Sequence, residues 1–313
     1  MVKVAIAGGT GAVGKTLVDV LAGQTKHQGI ILTRQEPIRQ DLALPYAVVN
    51  YDDVGSLTAV LEEHQVHTVI SAFGINGKSL AISQINLIQA ANASKVTKRF
   101  IPSSFATAYP EEGIKILPPL QSYFDSLEAL EATDLEWAVV HNGIFMDYYF
   151  PRTLKSHYNH NTLVVDIPNH AAAIPGTGNE RLTLTSIHDS ARFVVAALGL
   201  SEWPRELRVV GDTVTYNELV KLAEDALGVV FDVKYDDLEK LKRFEVSELP
   251  GHREDFKRYP KEILLPFLSI FERWTAEGLS EVKAEGSLNE MFPEIKPLTV
   301  KGLMDQHWKG FRG

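Results

Sequence analysis

Short apolar runs alternate with amphipathic segments along the first half of the chain. Residues 2–7 are apolar and rich in β-branched side chains, as in a parallel strand buried on both faces. Residues 13–21 repeat apolar positions at helical spacing. Strand-like runs follow at residues 29–35, 46–49, 67–74, 98–105 and 136–141, with helical segments between them. The alternation predicts an α/β protein with a Rossmann-type, doubly wound parallel sheet.

A glycine turn joins the first strand to the first helix, in the sequence GGTGAVG. Glycine recurs at Gly8, Gly11 and Gly14, where a tight turn needs positive φ or close backbone approach. The free N–H groups and positive dipole end of the following helix suit a pyrophosphate. A strand-turn-helix context supports dinucleotide binding over packing alone. The candidate cofactor ligands in this turn are Gly8, Thr10, Gly11, Ala12, Val13 and Gly14.

The ends of the next three strands supply further cofactor candidates. The second strand ends in Thr33 and Arg34 without a carboxylate, and an arginine there accommodates the 2′-phosphate of NADP. NADP(H) is therefore favoured, although Arg34 is alternatively an ordinary surface charge. Asn50 follows the third strand, where polar groups commonly face the adenine. The fourth strand ends in Ala72, Phe73 and Gly74, which we expect beside the cofactor at the switch point of the sheet.

The second half of the chain has shorter elements and loops richer in Pro and Gly. Strands are expected at residues 163–167, 181–185 and 207–210, and helices at residues 190–198, 215–227 and 261–276. The apolar stripe of the last helix is typical of core packing. We expect an NAD(P)-binding domain over residues 1–150 and a smaller α+β substrate-binding part over residues 151–313, interleaved with the first across a soft boundary.

Composition narrows the possible functions. The 313 residues allow a substantial core, and the lack of cysteine excludes disulfides, thiolate metal sites and a cysteine nucleophile. A net charge of −9, with no evident basic patch, argues against nucleic acid. No apolar run is long enough for a membrane span, and the first residues do not resemble a signal peptide. We expect a cytoplasmic protein with a small-molecule ligand.

An aromatic segment after the sixth strand suggests a hydrophobic substrate pocket. Its candidate lining residues are His141, Phe145, Tyr148 and Tyr149, together with Phe105 after the fifth strand. Asp147 lies among these aromatics, where a raised pKa would suit a general acid or base; the alternative is that it caps the helix that starts there. His157 and His160 are three residues apart, but nothing evident completes a metal site, so we predict none.

The combined motifs resemble the NmrA-like and isoflavone-reductase-like family of atypical short-chain dehydrogenases. The resemblance rests on the GGTGAVG turn, Arg34, the run from Lys98 to Ser103, the aromatic segment after Asn142, the loop at residues 174–179, and Asp189 before an apolar helix. It is strongest over the first 150 residues. Known members include NADPH-dependent reductases of secondary metabolism and a regulator that binds the dinucleotide without turnover.

The resemblance also implies catalytic residues, with one departure. Ordinary short-chain dehydrogenases use a YxxxK motif, and here Tyr123 is followed four residues later by Leu127 instead of lysine. Counted back from the sixth strand, the lysine typical of isoflavone-reductase-like enzymes falls at Tyr123 itself. In either alignment the lysine is missing. Without it we expect Tyr123 to act as a proton donor, with Ser103 or Ser104 as oxyanion donors. Alternatively, Tyr123 packs under the cofactor and the serines bind backbone.

Three functions follow from these observations. The first is an NADPH-dependent oxidoreductase acting on a hydrophobic aromatic or polycyclic secondary metabolite. The missing lysine motivates a second, a redox-neutral isomerase or cyclase on the same NADP-binding scaffold, for example one catalysing a pinacol-type rearrangement. The third is a non-catalytic NAD(P)-sensing regulator. The aromatic segment favours the two enzymes, because it is suited to a ligand.

Overall fold

A computed structural model describes residues 1–36, 42–74, 78–151, 156–158 and 160–311. Its main sheet has six parallel strands in the order β3-β2-β1-β4-β5-β6. The strands are β1 (Lys3–Ala7), β2 (Gln28–Thr33), β3 (Tyr46–Val48), β4 (Thr68–Ser71), β5 (Arg99–Ile101) and β6 (Glu136–Trp137). This order confirms the predicted doubly wound Rossmann-type sheet.

Helices cover both faces of this sheet. They are α1 (Ala12–Ala22), α2 (Val54–Glu63), α3 (Ile85–Ala93), which continues a π-helical turn at Ser79–Gln84, and α4 (Gln121–Glu131). In β1, Val4 and Ile6 pack with α1, whereas Ala5 and Ala7 face the layer that contains α2 and α3. The side chains of β1 therefore alternate between two buried faces, which explains its uninterrupted apolar sequence.

The chain after residue 150 contributes strands to three smaller sheets. Two short strands come just before it, β7 (Val139–His141) and β8 (Ile144–Phe145). The elements that follow are β9 (Val165–Asp166), β10 (Ala171–Pro175), β11 (Leu182–Thr185), α5 (Ile187–Ala197), β12 (Glu206–Arg208), β13 (Asp212–Val214), α6 (Tyr216–Leu227) and β14 (Asp232–Asp236). Strand β12 pairs with β7 beside the main sheet. Phe193 and Val194 of α5 share the core of α1. Helix α5, from the second half of the chain, thus packs in the same layer as α1.

The remaining helices close the C-terminal part. They are α7 (Leu238–Lys242), α8 (His252–Asp255), α9 (Lys261–Ala276), α10 (Leu288–Met291) and α11 (Val300–Leu303), followed by a π-helical turn at Met304–Trp308. Trp308 is 1% exposed and donates its indole N–H to the Tyr149 carbonyl at 2.8 Å. None of the helices in the described ranges is long and apolar enough to cross a membrane.

Two element boundaries differ from the sequence prediction for local reasons. The fifth strand ends at Ile101 rather than 105, because Pro102 has no N–H to continue the ladder. Helix α5 begins at Ile187 rather than 190, because the Ser186 hydroxyl accepts a hydrogen bond from the Asp189 N–H and caps it.

The glycine turn yields a test of packing. A Cβ built on Gly14 would lie 2.2 Å from the Gly8 carbonyl oxygen, so Gly14→Ala must force the turn apart. We expect it to lower the free energy of unfolding by roughly 1–3 kcal/mol, as overpacking does. Gly23→Ala is the matched control, because its Cβ would lie 3.4 Å from the nearest atom, the Asp19 carbonyl oxygen. Equal stability of the two variants in urea denaturation would contradict this account.

Candidate functional site

The turn after β1 requires glycine at both of its ends. Gly8 has φ +79°, and a Cβ there would lie 2.6 Å from the Ala72 carbonyl oxygen at the end of β4. Gly14 approaches Gly8 as closely from the other side, and the Gly11 N–H closes the turn on the Gly8 carbonyl at 3.0 Å. Backbone packing alone therefore explains Gly8 and Gly14.

The N-terminus of α1 is open toward solvent beside this turn. Gly11 caps the helix without a side-chain hydrogen bond, and the first turn carries no acidic residue. A Cβ on Gly11 would meet its nearest neighbour at an ordinary 3.5 Å, and one on Gly74 would meet nothing within 4 Å. Backbone N–H groups at Ala12 and Val13, with the exposed Thr10 beside them, thus fit a pyrophosphate.

The predicted adenosine-side residues lie at the ends of β2 and β3. Arg34 is exposed directly after β2. Asn50 is exposed, but its side-chain oxygen accepts the Asp52 N–H at 3.1 Å, so it shapes the turn. Its neighbour Tyr51 is buried. The Tyr51 hydroxyl donates to the Leu32 carbonyl, and its ring meets that of Phe73 edge-on, with centroids 5.1 Å apart. Arg34 remains a cationic candidate for a 2′-phosphate.

A cavity of about 340 Å³ begins at this edge of the sheet and extends to α9. Nine predicted residues line it together with the glycine turn's Val13: Ala72, Phe73, Gly74, Ser103, Ser104, Phe105, Tyr123, Phe145 and Tyr148. Further lining residues that the sequence did not assign to a pocket include Tyr109, Tyr158, Phe267, Phe271, Glu272 and Thr275. The cavity therefore joins the predicted cofactor edge to an aromatic chamber.

Helix α9 corrects one expectation. Its apolar stripe was expected to be core, and Ile270 and Trp274 are indeed buried in a small core. However, Phe267 and Phe271 form part of the cavity wall. A helical stripe looks the same in sequence whether it packs against protein or borders a ligand cavity, so periodicity could not separate the two.

Tyr123 projects from α4 into the cavity wall. Its ring contacts Tyr109 edge-on with centroids 5.3 Å apart. Burial, and then the charge of Glu206, raise the pKa of Tyr123 to about 12. Leu127 is one turn further along the helix and packs into apolar clusters. The phenol is thus held protonated, as a donor of a hydrogen bond or proton rather than a base.

The two predicted serines line the cavity but are already hydrogen-bonded. The Ser103 hydroxyl donates to the Phe73 carbonyl at 2.6 Å, and the Ser103 N–H donates to Gln84 Oε1 at 2.9 Å. The Ser104 hydroxyl donates to the Pro102 carbonyl and accepts the Val140 N–H at 2.8 Å. Each hydroxyl proton is engaged by backbone, which favours the alternative that the serines hold the loops after β4 and β5.

Of the predicted catalytic and substrate-pocket residues, three do not line the cavity: Asp147, Tyr149 and His141. Asp147 accepts the Ile187 N–H at 2.7 Å and the Ser156 hydroxyl at 3.2 Å, so it binds the N-terminus of α5. Residues Met146–Tyr149 form a 3₁₀ turn, which directs successive side chains apart; Tyr148 lines the cavity whereas Tyr149 enters the C-terminal core. Asp147 therefore caps α5 and not the 3₁₀ turn that begins beside it, as the alternative expected.

His141 is the third of these residues. It lies on β7, 6% exposed, with Nδ1 3.8 Å from Glu206 Oε2. Burial lowers its pKa, with Arg208 adding to this effect and Glu206 opposing it. His141 lies beside Glu206 of β12 and is not among the residues that line the cavity. Elsewhere, His157 Nε2 lies 2.6 Å from Asp19 Oδ2 and links its segment to α1.

Comparison with known proteins decides the family. The NmrA-like family profile matches residues 2–278. The chain belongs to the NmrA-like family. Oxidoreductase BOA1 of Botryotinia fuckeliana is 35% identical over 302 residues, covering 95% of this chain and 96% of that protein. Phenylcoumaran benzylic ether reductase TP7 of Nicotiana tabacum is 27% identical over 328 residues, covering 96% and 97%.

A solved structure shares the fold. The binary complex of leucoanthocyanidin reductase and NADPH from Vitis vinifera matches with a TM-score of 0.74 at 18% identity, covering 97% of this chain and 98% of that one. The relatives named above extend over nearly the whole chain and are named as oxidoreductase and reductase. The predicted family and the oxidoreductase class of this NmrA-like protein are therefore confirmed.

The cap assigned to Asp147 has a pH signature. Burial raises its pKa to about 6 from an ordinary 3.8, against the opposing hydrogen bonds from Ile187 and Ser156. A raised acid pKa means that this group's contribution to stability falls as pH rises from about 4 to about 6. Asn can accept the Ile187 N–H and donate to Ser156 without ionising. In urea denaturation we expect Asp147→Asn to gain on the order of 2 kcal/mol relative to wild type across that window.

The exposed Asp134 provides the control. Asp134→Asn makes the same change of net charge without touching α5. A difference between Asp147→Asn and wild type that is independent of pH would contradict the assigned burial of the Asp147 carboxyl.

Proposed function

We propose that this NmrA-like protein is an NADPH-dependent reductase of a hydrophobic aromatic or polycyclic metabolite. The observation that carries the proposal is the continuous cavity from the glycine turn to the aromatic chamber. A dinucleotide at the turn would present its reactive ring to that chamber, and NADPH supplies hydride when bound. The relationship to reductases such as TP7 supports this reaction class.

Cofactor binding is assigned to the chain's own groups. The N–H groups at the start of α1 bind the pyrophosphate, because no side chain caps them. Arg34, exposed at the end of β2, pairs with the 2′-phosphate and selects NADPH over NADH. The NADPH complex of leucoanthocyanidin reductase, which shares the fold, is consistent with this choice.

Proton donation is assigned to Tyr123. When hydride adds to an unsaturated carbon, negative charge develops on the attached oxygen or carbon, and a positioned donor stabilises it. A phenol with its pKa raised to about 12 remains protonated at neutral pH and is still more acidic than an alcohol, so it can give up its proton to an alkoxide. It is a poor base, which favours reduction over the reverse oxidation.

The lining residues support the substrate class. The hydroxyl groups of Tyr148 and Tyr158 in the wall are hydrogen-bonded at 2.7 Å. The ring centroids of Phe145 and Tyr158 are 5.2 Å apart. Phe267 and Phe271 form a second aromatic wall on α9. Such surfaces stack on planar rings and bury apolar area. The substrate is therefore assigned to aromatic or polycyclic molecules.

A redox-neutral isomerase is the second candidate. The observation that favours it is Leu127, an apolar residue packed into the core where short-chain dehydrogenases place their lysine. Hydride transfer separates the two candidates directly, since a redox-neutral rearrangement leaves no label in its product.

The cofactor assignment predicts a change of preference. Arg34→Ala should raise KM for NADPH roughly ten-fold or more while leaving KM for NADH nearly unchanged, because one charge-assisted contact is worth about 1.5–3 kcal/mol. Arg243→Ala, at an exposed arginine beside Glu245 on the C-terminal part, controls for loss of charge. Equal KM ratios in the two variants would contradict the role of Arg34.

The donor assignment predicts a loss of turnover. With deuterated NADPH and a panel of aromatic ketones and benzylic ethers, we expect deuterium in the product and a kcat for Tyr123→Phe lowered roughly 10²-fold or more. Tyr109→Phe is the matched control, because that ring lies in the same wall, in contact with Tyr123. Undiminished kcat in Tyr123→Phe refutes the assignment; a converted but unlabelled product supports the isomerase instead.

A further inference from the structure

A buried carboxyl group lies in the aromatic wall formed by α9. Glu272 is 6% exposed and lines the cavity beside Phe271 and Thr275. Its Oε2 is buried and has no hydrogen-bond partner among the described residues. Thr275, by contrast, is satisfied by the Phe271 carbonyl and the Ser280 hydroxyl. Burying a polar atom without a hydrogen-bond partner costs free energy. The Glu272 carboxyl is therefore a candidate to bind a ligand in the cavity.

The surroundings of Glu272 keep it neutral. Burial first, and then the Asp236 carboxylate, raise its pKa well above the ordinary range; Lys240 opposes them. The Lys240 ammonium is itself engaged, with Nζ 2.7 Å from Asp236 Oδ1 and 2.7 Å from the Ser247 hydroxyl. The nearby phenols of Tyr149 and Tyr216 are likewise protonated, since burial raises both pKa values. Glu272 is therefore a carboxylic acid that can donate a hydrogen bond.

Helix packing does not explain this residue. Its neighbours Leu268, Ile270 and Trp274 on α9 are buried apolar side chains, and an apolar residue at position 272 would serve that packing at lower cost. The Oε2 atom receives no hydrogen bond in return for its burial. A molecule in the cavity that offers an acceptor atom removes this penalty.

We propose that Glu272 determines substrate specificity by donating a hydrogen bond to an oxygen acceptor on the aromatic substrate. The inference rests on the proposed function in that the substrate occupies this cavity. It narrows the substrate class to aromatic molecules that carry a carbonyl, ether or hydroxyl oxygen within reach of the α9 wall. A hydrocarbon of the same shape leaves the acid unpaired and is rejected.

Binding of two shape-matched probes tests the proposal. In the presence of NADP⁺, which prevents reduction, 1-tetralone offers a ketone oxygen and tetralin does not. Calorimetry should show wild type preferring 1-tetralone roughly ten-fold or more, equivalent to about 1.4 kcal/mol. Glu272→Leu should remove the preference, and Glu272→Gln, whose amide also donates, should retain most of it. Glu262→Gln, at an exposed glutamate on the same helix, is the control.

The pH dependence separates a direct contact from a structural role. Raising the pH deprotonates Glu272, so the wild-type preference for 1-tetralone should decline, whereas that of Glu272→Gln should stay constant. This comparison needs no Glu272→Leu protein and survives if that variant fails to fold. Tyr149, Tyr216, Asp236 and Lys240 are unchanged in Glu272→Gln, so their titration is common to both proteins.

Three outcomes would overturn the inference. Glu272→Leu could keep the preference for 1-tetralone; Glu272→Gln could lose it in parallel with wild type as the pH rises; or the cation 2-aminotetralin could bind wild type more tightly than 1-tetralone, which requires a carboxylate. Deuterium transfer from NADPH tests the proposed function separately. A labelled product without Glu272-dependent binding defeats only the inference, and Glu272-dependent binding without label defeats only the reductase.

Discussion

The close approach of three backbone segments at the carboxyl edge of the sheet governs the rest of this structure. Gly8 lies against the end of β4 at Ala72, and Gly14 lies against Gly8, at separations that leave no space for a Cβ. This contact brings α1 against the sheet and aims its N-terminus past Gly11. It also places Ala72 to Gly74 at the mouth of the cavity. One packing constraint therefore sets both the position of the open N-terminus of α1 and the mouth of the cavity.

The chemistry of the chamber is that of protonated groups in an apolar enclosure. Burial raises the pKa of Tyr123, Tyr148 and Glu272 alike. Leu127 stands four residues after Tyr123, where short-chain dehydrogenases carry a lysine. A low local dielectric strengthens each hydrogen bond made in such surroundings and penalises each one left unmade. Neutral donors suit a site that stabilises developing negative charge. They are poorly suited to one that must remove a proton.

Polar residues near the site divide into those that hold the architecture and those available to a ligand. Ser103, Ser104 and Asp147 satisfy backbone groups of neighbouring loops and of α5, so their hydrogen bonds are internal. Tyr123 and Glu272 line the cavity, and Glu272 retains an unsatisfied oxygen. Residue type alone cannot make this distinction, because a serine or an aspartate has the same chemistry whether its partner is a ligand or a main-chain amide.

The sequence by itself determined the Rossmann-type sheet, the glycine turn, the family and ten of the cavity residues. These follow from local rules: periods of burial set strands and helices, and only glycine fits the turn. It did not reveal that Asp147, Tyr148 and Tyr149 point apart, because a 3₁₀ turn directs successive side chains to different neighbours. Nor did it place Phe271 and Glu272 in the chamber. Helix α9 lies well over a hundred residues from the glycine turn in sequence, and only long-range packing brings it over the same cavity.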